Sequence, residues 1–408
     1  MSAQAPPSMT MFPGRTLNLV LATVASVVGF WAWTVIAPMG ALYTQQLELN
    51  SAQTSFLVAM PILVGALGRI IVGSLTDRYG GRVMFTLILL GTVPPLLLVV
   101  LGGMLGSYHL LVAAAFFLGI AGTIFAVGIP FVSAWYEPGK RGFATGVFGA
   151  GMGGTALSAF LMPRLVAWWG YVPTHLSLAG LLMITAGVVW FFMRDSPAFA
   201  RSTTPVAPRL LGAARLGVTW KLGFLYAVVF GGFVSFSNYL PIYLRDVYDF
   251  DPTSAGTRTA GFALAAVLAR PVGGVLADRI GSKPVVVISL AAVAVLAWMV
   301  QLRPDTEITA GATFVAMAAA LGLGAGGVFA WVGVLSPAGK VGAVSGIVSA
   351  AGGLGGYFPP LIMGATYNPE EQSYFIGLML LTITALIALL FTLVAVGSRR
   401  KQPAAKIK

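Results

Sequence analysis

The sequence predicts an all-α integral membrane protein of twelve transmembrane helices in two pseudo-symmetric six-helix halves. Three observations predict it. Hydrophobic residues make up 58% of the 408 and charged residues only 9%, against about 25% charged in soluble domains. Twelve stretches reach the roughly 20 apolar residues that a spanning helix needs. The first half of the chain also returns in the second at a nearly constant offset.

The stretches follow in order. The first, 17–42, comes after the polar "MSAQAPPSMTMFPGR". That segment lacks the charged n-region and cleavage site of a signal peptide, so the helix is expected to act as an uncleaved insertion signal. The second, 54–76, carries Arg69 and ends at Asp77 and Arg78. The third, 83–105, and the fourth, 109–135, are unbroken apolar runs. The fifth, 141–168, has glycine at 142, 146, 149, 151, 153 and 154, and the sixth, 173–193, stops at Arg194. The longest polar stretch, 194–219, then separates residues 1–193 from 220–408 and reads as a cytoplasmic linker. The seventh, 220–245, holds Tyr226 and Phe230. The eighth, 254–278, carries Arg270 and ends at Asp278 and Arg279. The ninth is 284–302 and the tenth, 308–335, holds Phe329. The eleventh, 341–364, has glycine at 342, 346, 352, 353, 355, 356 and 364, and the twelfth is 373–397. Fifty-one glycines in all suit close helix packing in a bilayer and easy bending.

The repeat includes charged positions, which sets it apart from chance similarity between apolar segments. "GRIIVGSLTDRYGGRVM" (68–84) returns as "ARPVGGVLADRIGSKPV" (269–285), matching Arg69 to Arg270, Asp77 to Asp278 and Arg78 to Arg279. "GKRGFATGVFGAG" (139–151) returns as "GKVGAVSGIVSAA" (339–351). "GTIFA" (122–126) returns as "GGVFA" (326–330), pairing Phe125 with Phe329. A duplicated six-helix unit accounts for all three.

The formal net charge of +12 follows from topology rather than from nucleic-acid binding. With the N-terminus cytoplasmic, 18 of the 24 Lys and Arg fall on inner loops and tails. Only Arg164, Arg245, Arg258 and Arg303 fall outside, and Arg69 and Arg270 lie within helices. The positive-inside rule then places both termini in the cytoplasm. With no cysteine, disulfides, thiol catalysis and thiolate metal sites are excluded. No metal cluster or nucleophile–base set is seen, so neither an enzyme nor a bound cofactor is expected.

Arg69 lies eight residues before Asp77, about 12 Å along a helix. That puts it near the middle of a bilayer core about 30 Å thick. Arg270 occupies the same depth in the other half. An intramembrane arginine costs at least about 2.5–3.5 kcal/mol on insertion scales. All twelve acidic residues fall in loops or at helix ends, so the expected partner is a bound anion. Guanidinium binds planar oxyanions through paired hydrogen bonds and keeps its charge. Phe125 and Phe329, paired by the repeat, are placed to sandwich such an anion.

"GSLTDRYGGR" and "GVLADRIGSK", each between the second and third helices of a half, resemble the signature loop of the major facilitator superfamily. This resemblance implies a substrate site near the midplane between halves that rock. It makes Asp77, Arg78, Asp278 and Arg279 a gating loop that caps helix ends and pairs across the half-interface. "VGAVSGIVSAAGGLGGYFPPLIMG" (341–364) resembles the glycine-rich signature of the nitrate/nitrite porter family, and "GFATGVFGAGMGGTALSAFLMPRL" (142–165) its counterpart in the other half. Gly146, Gly149, Gly151, Gly153, Gly346, Gly352, Gly353, Gly355 and Gly356 are accordingly expected to let these helices slide and flex. "LYAVVFGGFVSFSNYLPIYL" (225–244) is similar to that family's seventh helix. The likeness puts Tyr226 and Phe230, one turn apart, at the substrate, with Tyr226 expected to donate it a hydrogen bond. "GIAGTIFAVGIPFVSAWYEPGKRG" (119–142) is similar to its fourth helix, with Phe125 facing the substrate. The paired arginines complete the likeness. One departure stands out: Met152 occupies the place where many members carry asparagine.

The function implied is nitrate/nitrite antiport by a monomer in the cell inner membrane, moving a small inorganic anion. Transport of another small anion such as cyanate or an organic acid, proton-coupled nitrate symport, and a membrane anion sensor are the alternatives. With no acid at midplane depth, exchange is expected over symport.

Overall fold

In a bilayer an apolar run of this length satisfies its backbone groups within a helix. The computed structural model of the chain describes residues 13–137, 141–197, 199, 206–304, 307–337 and 341–395. Lys140, Arg201, Lys340 and the basic residues from Arg399 onward, counted above, lie outside the described residues, as does part of the 194–219 linker.

Among the described residues, fifteen of the sixteen α-helices form twelve spans. Two helices make the first span, α1 (Arg15–Trp33) and α2 (Ile36–Leu47). They break where Thr34 turns its hydroxyl back onto Phe30 O at 2.9 Å. Single helices make the second and third, α3 (Ser51–Tyr79) and α4 (Gly81–Met104). The fourth is α5 (Tyr108–Leu118) and α6 (Ile124–Trp135), joined by a 3₁₀ turn over Gly119–Thr123. The fifth is α7 (Arg141–Gly149) and α8 (Gly154–Trp169), joined by a 3₁₀ turn over Ala150–Gly153. The sixth is α9 (Tyr171–Phe192). The region read as a linker contains a further helix, α10 (Val206–Ala214). Thr219 and Trp220, at the start of the next helix, donate to Ala213 O and Ala214 O, both at 2.7 Å. The remaining spans are α11 (Gly217–Tyr248), α12 (Pro252–Ile280), α13 (Ser282–Gln301), α14 (Glu307–Leu335), α15 (Val341–Ala365) and α16 (Phe375–Ala395).

The repeat has a backbone counterpart. α3 and α12 both turn into the next span through a glycine in the left-handed region, Gly80 at φ 89° and Gly281 at φ 96°. A side chain is strained there, so the loop needs glycine after its charged residues. The carboxylate that caps α4 is Asp195, which accepts from the backbone N–H of Gly81 at 2.7 Å and of Arg82 at 3.2 Å. Nothing in the repeat singled out that residue. Arg78 lies over the Tyr79 ring, 5.6 Å from its centroid.

Across the two sets of six, α3 packs along α15, α8 along α12 and α2 along α11. At the end of the bundle away from Gly80 and Gly281, here the far end, side chains fasten these pairs. Arg164 Nη2 donates to Thr257 Oγ1 at 2.7 Å, and Arg245 Nη1 to Ala41 O at 3.4 Å. A chain of hydroxyls also runs from Ser55 to Tyr239 (3.0 Å), Tyr374 (3.3 Å) and the Asp246 carboxylate (2.5 Å). Large apolar side chains such as Ile71, Ile184 and Val394 face outward, toward lipid.

Candidate functional site

Arg69 is 3% exposed, midway along the bundle. Its Nε donates to Gly122 O at 3.3 Å, in the 3₁₀ turn of the fourth span. Its Nη1 reaches across the halves to Ser349, whose carbonyl and hydroxyl oxygens lie 3.4 and 3.3 Å away. Its Nη2 is buried without a hydrogen-bond partner. A buried donor of a charged group left unpaired costs more than the typical 1–3 kcal/mol of a neutral one, which makes this nitrogen a place for an acceptor.

Arg270 approaches from the other half and is partly buried. Its Nη2 donates to Tyr226 Oη at 2.9 Å, and its Nη1 lies 3.0 Å from Met152 Sδ. Among the described residues, every polar partner of the two arginines is neutral.

Aromatic rings bring the two cations together. Phe125 and Phe230 serve both: Arg69 Cζ is 5.7 and 5.6 Å from their centroids, and Arg270 Cζ is 5.2 and 5.5 Å away. Trp33 lies against Arg69 alone at 5.9 Å, and Phe329 against Arg270 alone at 5.4 Å. Tyr226 and Phe230, one turn apart on α11, stack with centroids 4.8 Å apart and planes at 4°. Phe329 meets Tyr226 edge-on at 4.7 Å. All six residues singled out by sequence therefore converge. The rings common to both cations are nevertheless Phe125 and Phe230, not the repeat-related pair Phe125 and Phe329. A ring face within about 6 Å of a guanidinium is attractive, by up to about 2 kcal/mol when desolvated.

The two glycine motifs differ. A methyl group on Gly352 would meet the Tyr226 ring, one on Gly353 would stand 2.6 Å from Ala66, and one on Gly356 2.8 Å from Val234. Gly355 is pressed against the backbone of Ala227, and Gly151 lies against Ser26. These five set close approach around the arginines. Gly146, Gly149, Gly153 and Gly346 have open space where a side chain would start, so close packing does not account for them. The first motif also breaks into the 3₁₀ turn Ala150–Gly153, whereas α15 runs on unbroken.

Of the residues around the cations, Ser349 and the Gly122 carbonyl had no distinguishing sequence signal. Met152 had one, as the departure in its motif, and the repeat offset of 200 pairs it with Gly352. Trp33 donates to Pro61 O at 2.8 Å and joins the first and second spans beside Arg69.

The sequence model of the Major Facilitator Superfamily matches residues 22–257 and 222–408. The probable nitrate/nitrite transporter NarK2 of Mycobacterium tuberculosis (strain CDC 1551 / Oshkosh) is 58% identical over 379 residues, covering 93% of this chain and 96% of that protein. The probable nitrate/nitrite antiporter NarK1 of Thermus thermophilus is 33% identical, covering 92% of this chain and 91% of that one. The nitrite extrusion protein of Bacillus subtilis (strain 168) is 32% identical, covering 92% and 93%. In fold, the chain resembles the crystal structure of a bacterial homolog to the human lysosomal transporter Spinster in an inward-facing and occupied conformation. The TM-score is 0.67 at 16% identity, over 94% of this chain and 97% of that one. The chain is a multi-pass membrane transporter rather than an enzyme, and it belongs to the major facilitator superfamily.

Proposed function

We propose that this chain exchanges nitrate and nitrite across the cell inner membrane by alternating access. It acts as a monomer with both termini cytoplasmic, and two half-forming units (1–193 and 220–408) rock about one central anion site. The observation that carries this reading is the pair of arginines, one from each half, meeting on Phe125 and Phe230 with only neutral partners and with Arg69 Nη2 unpaired. The names of the three relatives above supply the anion.

A planar oxyanion between the guanidiniums takes hydrogen bonds from Arg69 and Arg270, replacing the weak contact with Met152. Tyr226 adds its hydroxyl to the same site. The rings exclude water, which strengthens each charge interaction. Empty, the two facing cations repel one another and the halves resist closing. A bound anion relieves that repulsion, so the loaded carrier returns readily and the empty one slowly. In this reading the far-end contacts hold that side shut while the other end admits the anion. Asp77, Arg78, Asp278 and Arg279 act as the gate there. Exchange also fits the acids, which the sequence puts in loops or at helix ends, away from the site.

The test is uptake of nitrate and nitrite into proteoliposomes with or without internal anion, under an imposed pH gradient. An absolute need for internal nitrate or nitrite is expected. Strong accumulation driven by the pH gradient alone would replace exchange with proton symport.

A further inference from the structure

Met152 is 1% exposed and sits in the 3₁₀ turn between α7 and α8. Its Sδ lies 3.0 Å from Arg270 Nη1, a contact that crosses from one half to the other. A thioether is a weak acceptor, so Arg270 gives it up readily. It is also the methionine atom that oxidants attack, and oxidation turns a flexible apolar side chain into a polar one. We propose that Met152 is an oxidative modification site, through which a hydroperoxide weakens the transporter's hold on its anion.

The step balances with hydrogen peroxide as oxidant. The sulfur lone pair attacks one peroxide oxygen, an S–O bond forms and the O–O bond breaks. The departing oxygen leaves with both protons as water. Sulfur is oxidised by two electrons and the peroxide is reduced by two.

Two features support the assignment, which rests on the reading that an anion enters this site. The first is access. Hydrogen peroxide is smaller than nitrate, so it reaches the sulfur wherever nitrate reaches the guanidinium 3.0 Å away. The second is consequence. The sulfoxide oxygen is a strong acceptor tethered beside Arg270, already engaged on its other nitrogen by Tyr226. The anion must then displace a charge-assisted hydrogen bond. A bond of that kind raises the half-saturation concentration on the order of tenfold, while the rate at saturating anion is retained. Methionine sulfoxide reductases reverse the modification.

The experiment treats the full-length protein in nitrite-loaded proteoliposomes with hydrogen peroxide. It compares wild type with Met152→Leu, which keeps volume and removes the sulfur. Each half-saturation constant is normalised to that of the same untreated protein, and peptide mass spectrometry counts added oxygen. Met104, Met183 and Met299 are exposed and present in both proteins, so they serve as internal controls. A rise in wild type that tracks oxidation of Met152, is reversed by the reductases and is missing from Met152→Leu supports the proposal. An equal rise in both proteins overturns it. So does Met152 oxidation without a rise, or an unmodified Met152 at a dose that oxidises the exposed methionines. If Met152→Leu fails to fold, the time course and its reversal in wild type decide alone. Absence of nitrate and nitrite transport in the untreated protein would instead count against the function, while the mass spectrum still reports whether Met152 reacts.

Discussion

At the scale of single residues, the cost of a charge in a bilayer made the centre of this protein legible. Arg69 and Arg270 stand out because a cation in a spanning segment needs a partner, and the sequence puts every carboxylate in a loop or at a helix end. Their repeat equivalence placed them opposite each other. What the sequence concealed were the neutral partners. A serine or a backbone carbonyl in an apolar helix carries no mark of what it faces, so Ser349 and Gly122 emerge only from the packing. The aromatic residues were half legible: the repeat pairs Phe125 with Phe329, but packing puts Phe230 rather than Phe329 against both cations. Phe125→Ala is therefore expected to weaken anion binding more than Phe329→Ala, since it removes a ring shared by two guanidiniums instead of one. With about 0.5–2 kcal/mol per cation–ring contact, Phe125→Ala should cost roughly tenfold or more in affinity in a direct binding titration. Equal, negligible losses would make both rings packing alone.

At the scale of elements, hydropathy located all twelve spans, because each apolar run had to cross the bilayer as a helix. It did not locate the breaks. Thr34, the Gly119–Thr123 turn and the Ala150–Gly153 turn interrupt spans that read as continuous, since local backbone hydrogen bonding leaves hydropathy unchanged. Helix α10 was read as linker, its nine residues being too short and too polar in their surroundings to register. Helix starts are better encoded. Asn50 and Gln53 form a reciprocal cap on α3, at 2.8 and 3.0 Å. Asp251 caps α12 through the N–H groups of Thr253 at 2.9 Å and Ser254 at 3.1 Å, with Pro252 next in line. Hydrogen bonds from the Ser254 side chain and backbone, then from Thr253, hold the Asp251 carboxyl below its usual range. A depressed value means the cap's contribution is present above the ordinary carboxylate pKa and is lost as pH falls through the lowered one. Asp251→Ala should lower thermal stability in detergent at neutral pH, by about 1 kcal/mol. It should also flatten the acid side of the stability profile. An unchanged melting point at neutral pH would mean the cap contributes nothing.

At the scale of the whole molecule, two halves are joined at mid-depth by the arginines and at the far end by side-chain hydrogen bonds. Ser55, Tyr239, Tyr374 and Asp246 form the longest of these connections, and Arg245 pairs with Asp246 while reaching Ala41. The chain has no cysteine, so one introduced thiol reports opening without background. Ile242 is 2% exposed and packs where α2 meets α11 at Gly40. In an Ile242→Cys background, adding Tyr239→Phe removes a hydroxyl from the chain and weakens the far-end seal by about 1 kcal/mol. Maleimide labelling from that side should speed up severalfold, and an unchanged rate would show that these hydroxyls do not hold the halves together.

The central claim is that one anion is held between two guanidiniums, one from each half. The most direct measurement is nitrate and nitrite binding and exchange by Arg69→Lys and Arg270→Lys, with folding and membrane insertion checked. Lysine keeps the charge and loses the planar fork that pairs two hydrogen bonds with an oxyanion. Each substitution alone is predicted to abolish nearly all exchange in a folded, inserted protein. Transport by either variant at close to the wild-type rate would contradict the account.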